Sequence, residues 1–444
     1  MSSLSATAPR HHLLKILGVT FGVAVAVGDM LGSGILRAPN LIAASIPDAG
    51  LIIGLWAFGA VHAALTANVF TELGTALPRS GGGYIYAQRV FGDIGGLIVG
   101  WSSWLAFVAG TSAAAISFAN FLPLIWPWAS AHTIGVALAM LIALFGANYL
   151  GLREGRALQE LTSLIKAFML ALFCIAAVVF VPTSHPLPPA VTAAPIFGWM
   201  TIVAAYQLVR GAYAGWDTPF YFGEELTDPG RDLPRMVFIG LALTAVLYVG
   251  VNGALLFALG VKGVASTALP FTIVIHGFGN WASVVFAITA MITVASCANA
   301  NIMGGPRILY ALGRERLLPA FFTNVNKGGT PSVAMIVTAL FAIGVALSGT
   351  FNVVFGLIGT MNAIGAIVII AALFVLRRRE PDLPRPYRAL LYPVLPILAL
   401  VLEVGALVLY SAADRVGIVF AVALSLACIP FALIARRGRI RLPE

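Results

Sequence analysis

The chain has 444 residues, 60% of them hydrophobic and 10% charged, with a formal net charge of +9. Its mean hydropathy of +0.97 leaves more apolar side chain than a water-facing surface of this size tolerates, which excludes a water-soluble globular fold. The basic balance is that of loops lying against anionic lipid and implies no nucleic acid; the cysteines, Cys174, Cys297 and Cys428, all sit in apolar runs, so neither a disulfide framework nor a metal site is expected.

Apolar stretches of about 20 residues, each enough to cross the ~30 Å hydrocarbon core, recur along the whole chain. They predict an all-α membrane protein of twelve transmembrane helices, at about 17–44, 50–77, 94–122, 131–151, 160–182, 196–222, 235–260, 281–311, 331–348, 352–376, 389–411 and 415–435. A run near 268–279 is too short to cross and is expected to cap the eighth span from outside. The longest outer loop, about 183–195, is proline-rich and uncharged. With the N-terminus inside, all but five of the 26 Lys and Arg fall on the inner side. The five are Lys262 and Arg415 outside, and Arg37, Lys166 and Arg210 within spans. This bias places both termini in the cytoplasm. The first apolar run is too long for a cleavable signal segment. A bacterial inner membrane and a monomeric state are expected, and the whole of 1–444 reads as one transmembrane domain.

Two of the spans are broken. The first contains Gly28-Asp29-Met30-Leu31-Gly32-Ser33-Gly34-Ile35-Leu36-Arg37-Ala38-Pro39, and the sixth contains Arg210-Gly211-Ala212-Tyr213-Ala214-Gly215-Trp216-Asp217-Thr218-Pro219. Each interior glycine costs a helix about 1 kcal/mol relative to alanine, and proline removes a backbone donor. In lipid the freed backbone groups need partners, so such a break lines a cavity or is packed in protein. Spans 1 and 6 open two consecutive groups of five, and five being odd, the second group is inverted. Paired interruptions in inverted halves point to a midplane solute site in a secondary transporter; two unrelated kinks packed through small residues are the alternative. The expected fold is a 5+5 inverted repeat with broken helices 1 and 6: repeat one about 17–182, repeat two about 196–376, and two C-terminal accessory helices about 389–435. No phosphate-cradling Gly-x-x-x-x-Gly-Lys-Ser/Thr motif is present, which excludes a nucleotide-driven pump. Neither a repeated pore filter nor a ring of like charge favours a channel, and no nucleophile–base pair or cofactor motif favours an enzyme.

The Gly32-Ser33-Gly34-Ile35 break resembles the signature of amino-acid permeases of the APC (amino acid–polyamine–organocation) superfamily. So do the inner loop Glu72-Leu73-Gly74 with Pro78-Arg79-Ser80-Gly81-Gly82-Gly83-Tyr84-Ile85-Tyr86, and Tyr213-Ala214-Gly215-Trp216-Asp217 followed by Glu224-Glu225 and Pro229-Gly230-Arg231-Asp232-Leu233-Pro234-Arg235. Pro306-Arg307-Ile308-Leu309-Tyr310-Ala311-Leu312-Gly313-Arg314 and the loop Arg377-Arg378-Arg379-Glu380-Pro381-Asp382-Leu383-Pro384-Arg385-Pro386-Tyr387 continue the likeness through span 11. The resemblance implies the LeuT-type fold and amino-acid transport by alternating access. The chain departs from the family at Asp29, where a small or neutral residue is usual, and Arg37 and Arg210 add charges near the breaks. Acidic or polyamine-like substrates therefore stand beside neutral ones.

An amino acid is a zwitterion. The outer half of span 1 begins at the break, so the N–H groups of Ser33, Gly34 and Ile35 are expected to hold the carboxylate. Free carbonyls are expected at Met30 and Leu31, and those of Gly211, Ala212 and Tyr213, ending the outer half of span 6, would receive the ammonium. Gly215 and Trp216 complete the predicted site. Lys166 is a lone cation in an apolar span, which costs roughly 3 kcal/mol on insertion. By family resemblance it takes the place of a sodium ion linking spans 1, 5 and 8, bonding carbonyls of Val25 to Gly28 and a hydroxyl such as Ser296; the alternative is snorkelling to the cytoplasmic surface. Asp217 is either a proton carrier or a helix cap, and Asp29 either a proton carrier or a partner of Lys166. The tandem Glu224-Glu225 is expected in a solvated inner loop with Arg231, Asp232 and Arg235, a gating salt-bridge network among them being the alternative. Together these imply sodium-independent, proton-coupled symport, with amino-acid exchange as the alternative.

Overall fold

The computed structural model describes Lys15 and residues 17–150, 152–180, 198–267, 269–348, 351–413 and 415–430. The outer loop at 183–195 and the end of the last predicted span lie outside the described residues. Among the described residues the secondary structure is helical, with two isolated bridges as the β pairing. Span 1 is two helices, α1 (Val19–Met30) and α2 (Ser33–Ser45), and span 2 is α3 (Ala49–Ala76). The Asp48 carboxylate caps α3 by accepting from the Leu51 amide at 2.6 Å. Then come α4 (Gly83–Phe121), α5 (Thr133–Leu150) and α6 (Leu152–Phe180). After α7 (Trp199–Ala212) a 3-10 turn at Thr218–Phe222 precedes α8 (Pro229–Ala265), which opens with proline in its first turn and Asp228 at its cap. The remainder is α9 (Pro270–His276), α10 (Asn280–Arg314), α11 (Ser332–Ser348), α12 (Phe351–Arg379), α13 (Val394–Ala413) and α14 (Arg415–Leu426). Among the described residues nine helical segments are long and apolar enough to cross a membrane, and Ser332–Leu347 is a shorter apolar helix.

The solvent preference of a soluble protein is inverted here. On α6, Leu161, Leu164, Phe168, Leu172 and Ile175 are exposed, whereas Gln159, Ser163 and Lys166 are buried. Both sets recur at three- to four-residue spacing, so one helix turns an apolar face outward and a polar stripe inward. Lipid outside and a polar interior account for this arrangement. The short α9 packs on α8 and α10, and α8 reaches it through a bend at Gly260, where the seventh predicted span ends.

α4 packs most extensively on α10 and α12, and α1 packs on α8, α6 and α10. The α1–α2 break is thereby enclosed by α6, α8 and α10. The N-terminal approach to α1 is pinned to the segment after the 3-10 turn. The Leu17 amide donates to Glu225 O (2.9 Å) and the Thr227 amide donates to Leu17 O (3.0 Å).

Candidate functional site

α1 closes with the Leu31 amide on Val27 O at 2.9 Å, and Gly32 then turns the chain into α2 without any side-chain cap. The first N–H groups of α2 therefore lack intrahelical partners and carry the positive end of its dipole. α7 closes at Ala212, where the predicted sixth span was expected to run on to 222. Gly211, Gly215 and Pro219, spaced four apart, interrupt the ladder, leaving turns and then the five-residue 3-10 segment Thr218–Phe222.

The two breaks touch. A β-carbon on Gly34 would stand 2.9 Å from Ala212 Cα, so only glycine lets these backbones meet. Around the contact lies a cavity of about 100 Å³ lined by Asp29, Met30, Ser33, Gly34, Gly215 and Asp217 among others. It shares Gly211, Ala214, Asp217 and Tyr221 with a larger cavity of about 260 Å³ that extends to Trp216, Arg210 and Glu403. Trp216 stands edge-on to Phe70 at 5.0 Å between ring centroids, and the Tyr213 hydroxyl donates to Trp56 O at 3.1 Å. Ile35 is buried at the start of α2.

Lys166 is 0% exposed and does not snorkel. Its ammonium donates to Gly28 O and, at 2.9 Å, to Leu31 O, so it covers the C-terminal carbonyls of α1, where a cation is favoured. Ser296 is not its partner. That hydroxyl lies 3.4 Å from both Gln159 Nε2 and Ser163 Oγ, because Ser163 and Gln159 fill the space beneath Lys166 and bond Ala24 O. The carbonyls of Met30 and Leu31 are not free either: Leu31 O is taken by Lys166, and Met30 O accepts from the Gly32 amide and from the Tyr248 hydroxyl. Tyr248, on α8, also reaches Ala212 O at 2.8 Å, sharing one proton between the carbonyl ends of both broken helices. Carbonyls ending a helix in a dry site need such donors, and side chains rather than solvent supply them here.

Asp29 is paired with polar groups rather than with Lys166. Thr218 Oγ1 donates to one carboxylate oxygen at 2.6 Å, and Asn301 Nδ2 donates to the other at 2.7 Å. The 3-10 turn, α1 and α10 thus meet on one buried carboxylate. Asp217 stands at the cap position of the 3-10 turn without making a cap bond; it accepts instead from Tyr221 Oη at 3.3 Å. Arg37 is half-buried on α2, and Arg210 is joined to Glu403 of α13 at 2.6 Å. Tyr248, Gln159, Asn301 and Glu403 were not anticipated from the sequence. Gln159, Ser163 and Lys166 share one face of α6, and that polar stripe was a usable signal.

Residues 18–433 match the family model described as amino acid permease. This chain belongs to the amino acid permease family. Relatives support the assignment along its length. The permease is 26% identical over 412 residues to the large neutral amino acids transporter small subunit 2 of Rattus norvegicus, an alignment that covers 87% of this chain and 74% of that protein. It is 29% identical over 399 residues to the Asc-type amino acid transporter 1 of Mus musculus, covering 86% and 74%. It is 25% identical over 397 residues to the serine/threonine exchanger SteT of Bacillus subtilis (strain 168), covering 87% and 89%. The permease is accordingly a multi-pass membrane transporter of amino acids of the APC superfamily and not an enzyme.

After the 3-10 turn the permease departs from one expectation. Glu224 and Glu225 do not form a solvated cluster with Arg231 and Arg235. Glu225 is fully buried and forked onto Arg307 of α10, with Nη2 to Oε2 at 2.8 Å, while Glu224 pairs with Arg314 at 2.6 Å. The short turn after Phe222 is what carries both carboxylates inward against α10. Burial pushes the Glu225 carboxyl above its ordinary range, against the pull of Arg307. A second buried carboxylate, Glu72 on α3, lies between Arg377 and Arg385 and accepts from the Ala389 amide at 2.7 Å.

Proposed function

We propose that this permease is a secondary active transporter that moves amino acids by alternating access, independently of sodium and coupled to protons. Its twelve spans form a five-plus-five inverted repeat of the LeuT type in one transmembrane domain, with both termini in the cytoplasm of a bacterial cell, and it works as a monomer. The observation that carries this reading is the contact between the two broken helices at Gly34 and Ala212, with an uncapped helix start and helix-end carbonyls on one small cavity. A zwitterion fits it. The N–H groups of Ser33, Gly34 and Ile35 take the carboxylate. The second lone pair on Ala212 O, with the carbonyls of Gly211 and Tyr213, takes the ammonium, and Met30 O, which already accepts two hydrogen bonds, borders the same cavity. Gly215 and Trp216 shape the space beside them.

Sodium independence follows from Lys166. A buried ammonium on Gly28 O and Leu31 O occupies a position suited to a monovalent cation, with Ser296 in the supporting layer beneath it. Proton coupling is assigned to Asp29 and Asp217, the two carboxylates that line the small cavity. Intramembrane carboxylates of this kind serve as proton relays. Exchange is the second reading, supported by the relative named as a serine/threonine exchanger.

The test is uptake of a labelled amino-acid panel by proteoliposomes, with and without sodium and with an imposed proton gradient. Uptake indifferent to sodium and raised by inward protons is expected. An absolute need for sodium overturns the role of Lys166. Uptake that occurs only against a preloaded amino acid replaces symport by exchange.

A further inference from the structure

The larger cavity has a wall that recognition of the zwitterion does not explain. Arg210, in the last turn of α7, directs Nη2 at Glu403 of α13 (2.6 Å) and Nη1 at Gly359 O of α12 (3.0 Å). Glu403 is 3% exposed in an otherwise apolar stretch, Val401-Leu402-Glu403-Val404. Its other oxygen accepts from Thr66 Oγ1 at 3.2 Å and stands 3.4 Å from His62 Nε2. His62 Nδ1 in turn meets the Tyr206 hydroxyl. Arg210, Glu403, His62 and Thr66 all line the 260 Å³ cavity. Arg210 is also the neighbour of Gly211, which lines both cavities. A side chain leaving an amino acid held at the breaks therefore runs into a space with the Arg210–Glu403 pair on its wall, and with Asp217, which that space shares with the small cavity.

Two opposite charges withdrawn from water are tolerated when paired, whereas either one alone is a large uncompensated charge. The pair consequently cancels its own charges on that side of the wall, and the other carboxylate of the cavity, Asp217, is assigned above to proton coupling. The pair also occupies the guanidinium that an acidic substrate would need. Specificity is a difference of affinities, and a wall whose charges are already paired with each other penalises a charged side chain that finds no counter-ion there. We propose that the Arg210–Glu403 pair is a specificity-determining element that restricts this transporter to amino acids with uncharged side chains. The inference rests on the reading of the chain as a carrier that holds its substrate at the two breaks.

Unmasking either member should admit the opposite charge. Glu403→Gln leaves Arg210 unpaired and admits aspartate and glutamate. Arg210→Gln leaves Glu403 unpaired and admits lysine and arginine. The exchanged pair, Arg210→Glu with Glu403→Arg, restores the internal pairing and with it the rejection of both classes. The full chain is reconstituted in liposomes, and uptake of a labelled neutral amino acid is challenged with aspartate, glutamate, lysine and arginine. The expected result is wild-type uptake resistant to all four. Inhibition by the acidic pair becomes stronger by about tenfold or more in Glu403→Gln, and inhibition by the basic pair does so in Arg210→Gln. Wild-type uptake already inhibited by charged amino acids overturns the proposal, as does a wild-type competition profile in the single variants. Should Glu403→Gln not fold, Arg210→Gln and the exchanged pair decide: basic amino acids must inhibit the former, and charged amino acids must fail against the latter. If wild-type liposomes carry no amino acid at all, it is the carrier reading that fails, before any variant is compared.

Discussion

Gly215 and Asp29 approach so closely that a β-carbon on the glycine would stand 2.7 Å from the carboxyl carbon of the aspartate. Gly215 has φ +108°, a conformation that side-chain-bearing residues avoid. The break of span 6 is therefore shaped to receive the carboxylate at the end of α1, and both requirements point to glycine. Gly215→Ala should cost stability through backbone strain and push Asp29 off Thr218 and Asn301. Uptake should fall by about tenfold or more and thermal stability in detergent should fall with it. Wild-type uptake by this variant would show that the close approach is incidental.

Asp29→Asn keeps the size of the side chain and removes its charge. Thr218 can reverse its hydroxyl to accept, so the junction of α1, the 3-10 turn and α10 should persist. An inward proton gradient should then no longer drive accumulation, while exchange of internal for external amino acid continues. Accumulation that still follows the proton gradient would remove Asp29 from the coupling mechanism and leave Asp217 as the residue to neutralise.

Lys166→Met leaves two carbonyls, Gly28 O and Leu31 O, without their donor in a dry interior. Each buried acceptor so exposed costs about 1–3 kcal/mol. The variant should show a lower melting temperature and uptake reduced by about tenfold or more, at every sodium concentration tested. Unchanged stability would mean that the ammonium does not hold the end of α1.

Tyr248→Phe removes the one hydroxyl that reaches Met30 O and Ala212 O. The ring remains against Trp56 and Tyr213, at 5.1 and 4.9 Å between centroids, so packing should survive. The half-saturating concentration for uptake should rise by about tenfold, because Ala212 O, proposed above to take the ammonium, loses its alignment. A fall in maximal rate with unchanged half-saturation would place Tyr248 in the conformational cycle instead.

Much of the site is legible in the sequence because glycine and proline are conspicuous inside apolar runs. The breaks at Gly32 and Gly215 are visible for that reason, and Lys166 because a lone cation stands out in an apolar span. Their partners are not. Tyr248 reads as one more aromatic in an apolar helix, and only tertiary packing sets its hydroxyl between two carbonyls. Glu403 is a lone charge in an apolar span just as Lys166 is, and the same reasoning applied there would have marked it. That it pairs with Arg210, 193 positions away, is a matter of helix arrangement that periodicity does not encode. The solvated reading of Glu225 failed likewise, since a charged loop sequence does not reveal that Arg307 on α10 faces it from within.

That buried pair leads to the last prediction. Arg307 is 2% exposed and stacks its guanidinium over the Phe222 ring at 4.4 Å while it forks onto Glu225. Glu225 also holds the start of α1 through its backbone carbonyl, which accepts from the Leu17 amide at 2.9 Å. Removing one charge leaves the other buried and uncompensated, at a cost of about 3–5 kcal/mol. Glu225→Gln and Arg307→Met should each lower the melting temperature markedly. The double variant Glu225→Gln with Arg307→Met should recover part of the loss, because no charge is stranded. A double variant whose loss from the wild type equals the sum of the two single losses would mean that the two residues act independently, and that the pair does not join the segment after Phe222 to α10.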